Sequence, residues 1–287
     1  MGRYKAGFID EEEFHTIENE MCQTCGACGM MGTANTMGTL VEAMGLSFPG
    51  CGTISAVAST RLRLAKASGE RIVDMVRDGL NSNKIITEEN LINGIKYILA
   101  IGGSTNAVLH IPAIAKQLGI TMTMDIFDEL SMKTPLIAKF KPASKYTLRD
   151  FHTAGGVQAL LKALSPLLNL DVLTVSGKTL GENLKRVKFV ESDVIRSLDN
   201  PLALEGGIAI LKGNLAPKGA VVKQSGVSEK MMVHRGPAKI ANSEEEVRDL
   251  LMNDKVEHGD VLIIRYEGPK GGPGMRELSI PAALLWQ

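Results

Sequence analysis

Hydrophobic residues recur at helical spacing through the first 165 residues of the chain. Met37, Leu40, Val41 and Met44 form one such face, and Gly45 ends it in the way that glycine commonly ends a helix. The same periodicity, with capping residues at several starts, predicts further helices over Asp10–Ile17, Ile54–Ala67, Glu70–Leu80, Thr87–Leu99, Val108–Leu118 and Asp150–Leu164. The first part of the chain is therefore expected to be rich in helix.

From about residue 170 the pattern changes to short runs of β-branched and aliphatic residues between Gly, Pro and Asn turns. These runs predict strands at Val172–Val175, Ile208–Leu211, Ala220–Lys223 and Val261–Tyr266. The change from a helical pattern to a strand pattern predicts an N-terminal α/β domain over residues 1–185 and a β-rich C-terminal domain over residues 186–287.

Charge and hydropathy narrow the classes of function. The chain has 32 basic and 32 acidic residues, so no net field attracts nucleic acid or an anionic membrane, and a small-molecule ligand is favoured. Its longest apolar runs, Tyr97–Ile101 and Ile280–Trp286, are far shorter than the roughly 20 residues of a membrane span. No apolar signal-peptide core follows the first residues, so a cytoplasmic location is expected.

Three of the four cysteines, Cys22, Cys25 and Cys28, are spaced three residues apart. Thiolates at this spacing can converge on one metal, and the spacing is typical of the start of an iron–sulfur run. A zinc knuckle without its fourth ligand, or three ordinary buried thiols, remains open on spacing alone. Cys51, in a Pro-Gly-Cys-Gly segment, is interpreted as a small packing residue.

A second candidate follows the last predicted strand, where four glycines and two prolines surround Glu267 and Lys270. Glycine allows a close backbone approach to a ligand and proline stiffens the loop, so either residue could serve a hard metal or a phosphate. A surface hairpin explains the same local pattern equally well.

Two weaker candidates complete the survey. The turn Gly102–Asn106 feeds a predicted helix, and its backbone N–H groups and hydroxyls are expected to be available to an anion. His110 and His152 are interpreted as structural histidines, since no His-x-x-x-His or Ser/His/Asp order accompanies them.

Taken in order along the chain, several segments together resemble the dihydroxy-acid dehydratase and sugar-acid dehydratase family. The segments that carry the resemblance are Cys25–Met37, Glu42–Pro49, Gly102–Asn106, Asp150–Gly156, Thr174–Leu180, Gly207–Pro217 and Val261–Met275. Because the match keeps its order nearly from end to end, it is far more specific than any single motif.

The resemblance implies a hydro-lyase that converts a 2,3-dihydroxy acid into a 2-oxo acid with a [2Fe–2S] cluster and Mg2+. It makes Cys28 the cluster cysteine, with weaker claims for Cys25 and Cys22, and Glu267 the magnesium carboxylate. It also implies an α/β/α N-terminal domain, truncated here, followed by a β-barrel-like C-terminal domain, a site formed by both, and a homodimer for the full-length protein.

The chain also departs from the family. Upstream family segments would supply two further cluster cysteines, two acidic magnesium ligands and a modified lysine, and the catalytic serine is expected beyond Gln287. No catalytic residue is therefore assigned here, and the chain by itself is expected to be inactive and prone to aggregation through exposed sheet edges.

Three rival readings stay open. A sugar-acid (aldonate) dehydratase is favoured slightly by Met30–Thr33. A non-catalytic remnant and a zinc knuckle at Cys22, Cys25 and Cys28 are the others. The family resemblance favours dihydroxy-acid dehydration, as in the biosynthesis of branched-chain amino acids.

Overall fold

A computed structural model describes residues 2–21, 25–268 and 278–285. The chain divides into two compact units, one formed by Met1–Thr24 with Ser228–Gln287 and the other by Cys25–Val227. The predicted division into domains 1–185 and 186–287 is a different division from these two units, and it stays a prediction.

The helices and strands, in chain order, have the following bounds. The α-helices are α1 (Gly2–Lys5), α2 (Glu11–Glu20), α3 (Thr33–Ala43), α4 (Ser59–Arg77), α5 (Ser82–Ile85), α6 (Glu88–Ala100), α7 (Ala107–Gln117), α8 (Met124–Lys133), α9 (Leu148–Thr153), α10 (Gly156–Leu164), α11 (Leu180–Leu184), α12 (Glu244–Met252) and α13 (Ser279–Leu285). The strands are β1 (Ala209–Leu211), β2 (Ala220–Val222), β3 (Ala238–Ala241) and β4 (Val261–Ile264). Short 3-10 helices lie at Ser165–Leu167, Gln224–Gly226 and Glu229–Met231.

The larger unit is built around the packing of α3 against α6 and α10. Its core includes Leu40 of α3, Ile95 of α6 and Leu160 of α10, which are fully buried. Gly94 permits the close approach of α3 and α6, because a Cβ at this position would lie 2.9 Å from Cγ of Met44. This tightly packed core holds α3, which begins five residues after Cys28.

The smaller unit has its own core, formed by Ala241, Val247, Leu251 and Leu284. These residues come from β3, α12 and α13. At the surface of this unit, Nζ of Lys5 donates a hydrogen bond to the carbonyl oxygen of Leu251 and forms an ion pair of 3.1 Å with Asp254.

Both sheets in the described part of the chain are two-stranded. In the larger unit β1 and β2 are antiparallel, with Ala209 opposite Val222, and in the smaller unit β3 and β4 are parallel, with Ala238 opposite Val261. The protein is thus a mixed α/β structure with a helical N-terminal region and small sheets. The described residues form no closed barrel, so the barrel-like C-terminal domain stays a prediction.

Several predicted helices and strands are confirmed. Each is determined by residues close together in the sequence, such as a capping residue or a short run of apolar residues. Asp10 caps α2 by accepting a hydrogen bond from the backbone N–H of Glu13 at 2.8 Å, and Thr87 caps α6 by accepting one from Asn90 at 3.3 Å. The predicted strands at Ile208–Leu211, Ala220–Lys223 and Val261–Tyr266 correspond to β1, β2 and β4. No helix among the described residues has the length and apolar character needed to cross a membrane.

Three predictions of elements are wrong. The two helices over Ile54–Ala67 and Glu70–Leu80 form one continuous helix, α4, because Gly69 is accommodated inside it. The single helix over Asp150–Leu164 is instead two, since Gly155 takes the left-handed conformation with φ of 98°. Val172–Val175 contributes only an isolated bridge between Leu173 and Thr179.

Candidate functional site

The loop that carries Cys28 is anchored from its C-terminal side by Asn35. The side-chain amide of Asn35, in the first turns of α3, donates hydrogen bonds of 2.7 Å to the carbonyl oxygens of both Cys28 and Met30. Cys25 and Cys28 are exposed, whereas Met31 is almost completely buried. The loop therefore presents Cys28 at the surface on a backbone that the protein holds in place.

A second segment, residues 139–148, fixes the other side of this loop. The backbone N–H of Met31 donates to the carbonyl oxygen of Lys141 at 2.8 Å, and that of Leu148 donates to the carbonyl oxygen of Gly29 at 2.9 Å. A Cβ on Gly29 would be in ordinary van der Waals contact with Cβ of Thr147, at 3.6 Å. Contacts that are far apart in sequence thus position the cysteine loop.

The Gly102–Asn106 turn packs on the start of α3 rather than opening to solvent. The N–H of Ser104 donates to Oγ1 of Thr36 at 2.9 Å, and Nδ2 of Asn106 donates to Oγ1 of Thr33 at 2.8 Å. The N–H groups of Gly102 and Gly103 donate to carbonyls in the last turn of α6. The prediction that this turn leaves these N–H groups available to an anion is wrong, because they close α6 and brace α3.

The segment that supports the cysteine loop, residues 139–148, is rich in lysine. Lys139, Lys141 and Lys145 lie on it, and Lys223 follows β2. Burial, together with the nearby ammonium group of Lys139, lowers the pKa of Lys223 to about 8. In the part of the chain that the structure describes, neither Lys139 nor Lys223 forms an ion pair. An anionic group would relieve the repulsion between these two cations.

Glu42, which the sequence did not single out as functional, is a buried carboxylate near the end of α3. Its Oε1 accepts hydrogen bonds from the backbone N–H of Gly50 at 2.7 Å and from Nε2 of Gln158 at 2.6 Å, and its Oε2 accepts one from the N–H of Gly52 at 2.6 Å. Burial raises the pKa of Glu42 from its ordinary value of 4.5, although the three hydrogen bonds oppose this shift.

The loop held by Glu42 contains Cys51 and ends beside His152. Cys51 is half-buried, in agreement with a packing role. Oγ1 of Thr53 and Nδ1 of His152 lie 2.9 Å apart and share a hydrogen bond. Glu42 could have been recognised from the sequence. It is a charged residue at a helix position where the hydrophobic pattern predicts a buried side chain, and a Pro-Gly-Cys-Gly turn follows the helix.

Glu267 belongs to the smaller unit and follows β4. It is half-buried, and its Oε1 accepts a hydrogen bond of 3.0 Å from the backbone N–H of Glu244, the first residue of α12. The preceding residue, Tyr266, has φ of 65°, a conformation that strains a residue with a bulky side chain. The contact places one oxygen of this carboxylate against the N-terminus of α12, where a helix favours negative charge.

The remaining predicted site residues are only partly described. Cys22 and Lys270 lie outside the described residues, as do the glycines and prolines after Gly268. Cys28 and Glu267 belong to different compact units. Among the described residues, no group of three or more His, Cys, Asp or Glu side chains is arranged to hold a metal ion. The assignments of Cys28, Cys25, Cys22 and Glu267 therefore stay predictions.

A separate cleft of about 580 Å³ lies beside α9 in the larger unit. Arg149, Lys188 and Ser192 line it together with Asp150. The carboxylate of Asp150 accepts the N–H of Thr147, the N-cap of α9, at 2.7 Å and so completes a capping box.

Comparison with known proteins decides the family. The model of the dihydroxy-acid/6-phosphogluconate dehydratase N-terminal region matches residues 1–183, and that of the C-terminal region matches residues 193–287. The chain belongs to this dehydratase family. The resemblance drawn from the sequence is thereby confirmed.

Individual members of the dehydratase family are similar over nearly the whole chain. Dihydroxy-acid dehydratases of Caldanaerobacter subterraneus subsp. tengcongensis and Caldicellulosiruptor saccharolyticus are 50% and 49% identical to it, each over 99% of this chain and 52% of the relative. The dihydroxy-acid dehydratase of Methanococcoides burtonii is 47% identical over the same shares. The chain thus spans about half the length of these curated relatives.

Proposed function

We propose that this chain forms part of a hydro-lyase that converts a 2,3-dihydroxy carboxylic acid into a 2-oxo acid, as a dihydroxy-acid dehydratase of branched-chain amino-acid biosynthesis does. The observation that carries the proposal is the exposed Cys28 on an anchored loop, in a chain about 50% identical to dihydroxy-acid dehydratases over 99% of its length. The activity is proposed for the whole protein.

The candidate residues have the side-chain chemistry that the proposed iron–sulfur cluster and Mg2+ require. Cys28 offers a soft thiolate for the [2Fe–2S] cluster, with Cys25 and Cys22 as weaker candidates, and its exposure leaves it accessible to a metal. Glu267 offers a hard carboxylate for Mg2+. When bound, these groups supply Lewis acidity, which a hydroxide leaving group requires.

The chain's own residues would position the cofactor and the substrate. Asn35 holds the Cys28 carbonyl, so the backbone that carries the thiol would keep a fixed position. The lysines near the cysteine loop, above all Lys139 and Lys223, supply positive charge that attracts an acid substrate. The start of α12 would hold one oxygen of the Glu267 carboxylate by the backbone N–H of Glu244.

The proposal extends to the organisation of the whole protein. It includes an α/β/α N-terminal domain over residues 1–185 and a β-barrel-like C-terminal domain that begins at residue 186. It also includes a cytoplasmic homodimer that acts on a small molecule. Family membership supports these points, and the zero net charge supports a small-molecule substrate.

Anaerobic purification tests the metal chemistry. The complete gene product is reconstituted with iron and sulfide, and visible absorption and metal content are measured for the wild type, Cys28→Ser and Cys51→Ser. We expect cluster absorption in the wild type and in Cys51→Ser and its loss in Cys28→Ser. Zinc without iron and sulfide would show a zinc knuckle and overturn the proposal.

Turnover assays then identify the substrate class. Dihydroxyisovalerate is compared with a panel of aldonic acids by the appearance of the 2-oxo acid. Conversion of dihydroxyisovalerate is expected. Activity on aldonic acids alone would establish the sugar-acid dehydratase that Met30–Thr33 favours, and no activity from a protein that holds its cluster would indicate a non-catalytic remnant.

A further inference from the structure

The cleft beside α9 is lined by two stretches of the larger unit that are distant in sequence. One stretch is α9 with the two residues that follow it, and the other consists of residues 188–194, here called the 188–194 segment. The volume of about 580 Å³ lies within the range of roughly 300–1,000 Å³ that is typical of small-molecule sites. The cleft is therefore large enough for a metabolite.

The 188–194 segment lines the cleft with every second residue. These residues are Lys188, Val190, Ser192 and Val194. Such alternation is typical of an extended backbone, in which successive side chains point to opposite sides. On the other side of the chain, Val187 and Phe189 pack against the hydrophobic core. The core contacts thus hold the alternate side chains at the cleft.

The charged residues of the lining do not balance. Arg149 and Lys188 form no ion pair with any residue that the structure describes. Asp150 is the only acidic residue in the described lining, and its Oδ2 already accepts the N–H and the hydroxyl of Thr147, each at 2.7 Å. The lining therefore has one uncompensated positive charge, which a monoanion would neutralise.

The acidic residues of the 188–194 segment are held by partners outside the cleft lining. The carboxylate of Glu191 accepts a hydrogen bond of 2.7 Å from Nδ2 of Asn200. That of Asp193 accepts one of 2.9 Å from Arg196, with which it forms an ion pair. These contacts leave Lys188 without a carboxylate from its own segment.

Ser192 adds a neutral hydrogen-bond donor to the two cations. Its Oγ accepts the backbone N–H groups of Val194 at 3.3 Å and Ile195 at 3.2 Å. Both bonds use the oxygen as an acceptor, so neither uses the hydroxyl proton, and that proton can be donated to an anion.

The rest of the lining includes aliphatic side chains. Ala154, Val190 and Val194 belong to it, and Val190 is 75% exposed. Covering such a side chain with an apolar group removes hydrocarbon surface from water, which is favourable. A ligand that carries both a negative charge and an aliphatic part therefore fits this lining better than an inorganic anion does.

We propose that this cleft is a binding site for a small monocarboxylic acid with an aliphatic body. Arg149 and Lys188 pair with the carboxylate, and the hydroxyl of Ser192 donates a hydrogen bond to it. Val190 and Val194 contact the aliphatic body. The inference does not rest on the proposed dehydratase activity.

Chemical footprinting of the complete gene product tests this site directly. The protein is acetylated at lysine with and without isovalerate and digested with a protease that does not cleave at lysine, and mass spectrometry measures each site. At about ten times its Kd, isovalerate should slow acetylation of Lys188 about ten-fold. Lys185 is the internal control, because it is exposed three residues earlier and does not line the cleft. Equal protection of both lysines, or of neither, would overturn the proposal.

Two further probes separate charge from shape. Isovaleramide has the same aliphatic body without the charge, and inorganic phosphate has charge without the body. Neither should protect Lys188 as isovalerate does. Equal protection by the amide would show that the carboxylate is not recognised, and equal protection by phosphate would reduce the cleft to an unspecific anion site. Either result contradicts the proposal.

Two variants place the ligand in the cleft. Arg149→Gln, at an exposed residue, should weaken the protection of Lys188 by isovalerate about ten-fold in Kd, because a charge-assisted hydrogen bond is lost. Arg186→Gln is the matched control, since Arg186 is exposed and does not line the cleft. Val190→Asp should abolish protection by placing a negative charge in the lining. Circular dichroism checks that each variant is folded, and unchanged protection in folded Arg149→Gln and Val190→Asp would rule out this site.

Discussion

The side-chain amide of Gln158 donates a 2.6 Å hydrogen bond to the carboxylate oxygen of Glu42 that also accepts the backbone N–H of Gly50. Together with the bond from Gly52, this arrangement joins α3, α10 and the loop that carries Cys51. Two of the three donors are backbone N–H groups and the third is the neutral amide of Gln158. The carboxylate therefore has three hydrogen bonds without a charged partner among them. Glu42 is therefore the link that holds this loop against the end of α3.

Replacing Glu42 should loosen the loop. In Glu42→Gln the new amide nitrogen cannot accept a backbone N–H, so one buried donor loses its partner and the free energy of unfolding should fall by about 2 kcal/mol. Glu42→Ala should cost more, since all three donors lose their acceptor. Urea unfolding measures both, with the exposed Glu70→Gln as the control.

The same residue predicts a dependence on pH. Because burial raises the pKa of Glu42, the folded protein takes up this proton at a higher pH than the unfolded chain, whose carboxyl titrates near 4.5. The contribution of this carboxyl to stability is therefore present below pH 4.5 and is lost as the pH rises through the raised pKa. The stability difference between wild type and Glu42→Gln should narrow over this range, and a widening difference would contradict the shift.

Asn35 should control how well the cysteine loop retains a metal cluster. Asn35→Ala removes two hydrogen bonds to the loop carbonyls, and Asn35→Asp keeps the shape but cannot donate. Under the proposed function, both should retain roughly ten-fold less iron after reconstitution and dilution. Asn81→Ala, at an exposed position without a side-chain cap, is the control. Full retention in both Asn35 variants would show that the loop needs no such support.

A second dependence of stability on pH is expected from Lys223. It has the opposite sign, because the free energy of unfolding rises with pH. Its pKa of about 8 in the folded protein is below its ordinary value of 10.5, so the unfolded chain keeps this proton longer. The free energy of unfolding should therefore rise from this group as the pH goes from about 8 towards 10.5. Relative to Lys223→Met, the wild type should gain on the order of 3 kcal/mol over this range. Lys66→Met, at an exposed lysine, is the control substitution. A Lys223→Met protein whose stability changes with pH as the wild type's does would contradict the prediction.

The limits of prediction from sequence are visible in α4 and around Gly155. Both regions contain a glycine in a helical pattern, and the sequence predicts a break at Gly69 and continuity through Gly155. The structure has the reverse, because Gly69 keeps a helical backbone and Gly155 has φ of 98°. Glycine permits both conformations, so its surroundings decide between them.

The sequence by itself determined the features whose causes lie within a few residues. These include the start of α6 at Thr87 and the helical face that begins at Met37. The ordered segments along the chain also determined the family, since the motifs need no coordinates to be recognised.

Only the tertiary structure decided how the candidate site is supported. Glu42 meets Gly50 and Gly52 at separations of 8 and 10 residues but Gln158 at a separation of 116. The loop of Cys28 likewise depends on Lys141 and Leu148, and the N–H groups of Gly102 and Gly103 are used inside the fold. Such pairings depend on which buried polar groups meet when the core packs, and packing joins residues that no local pattern connects.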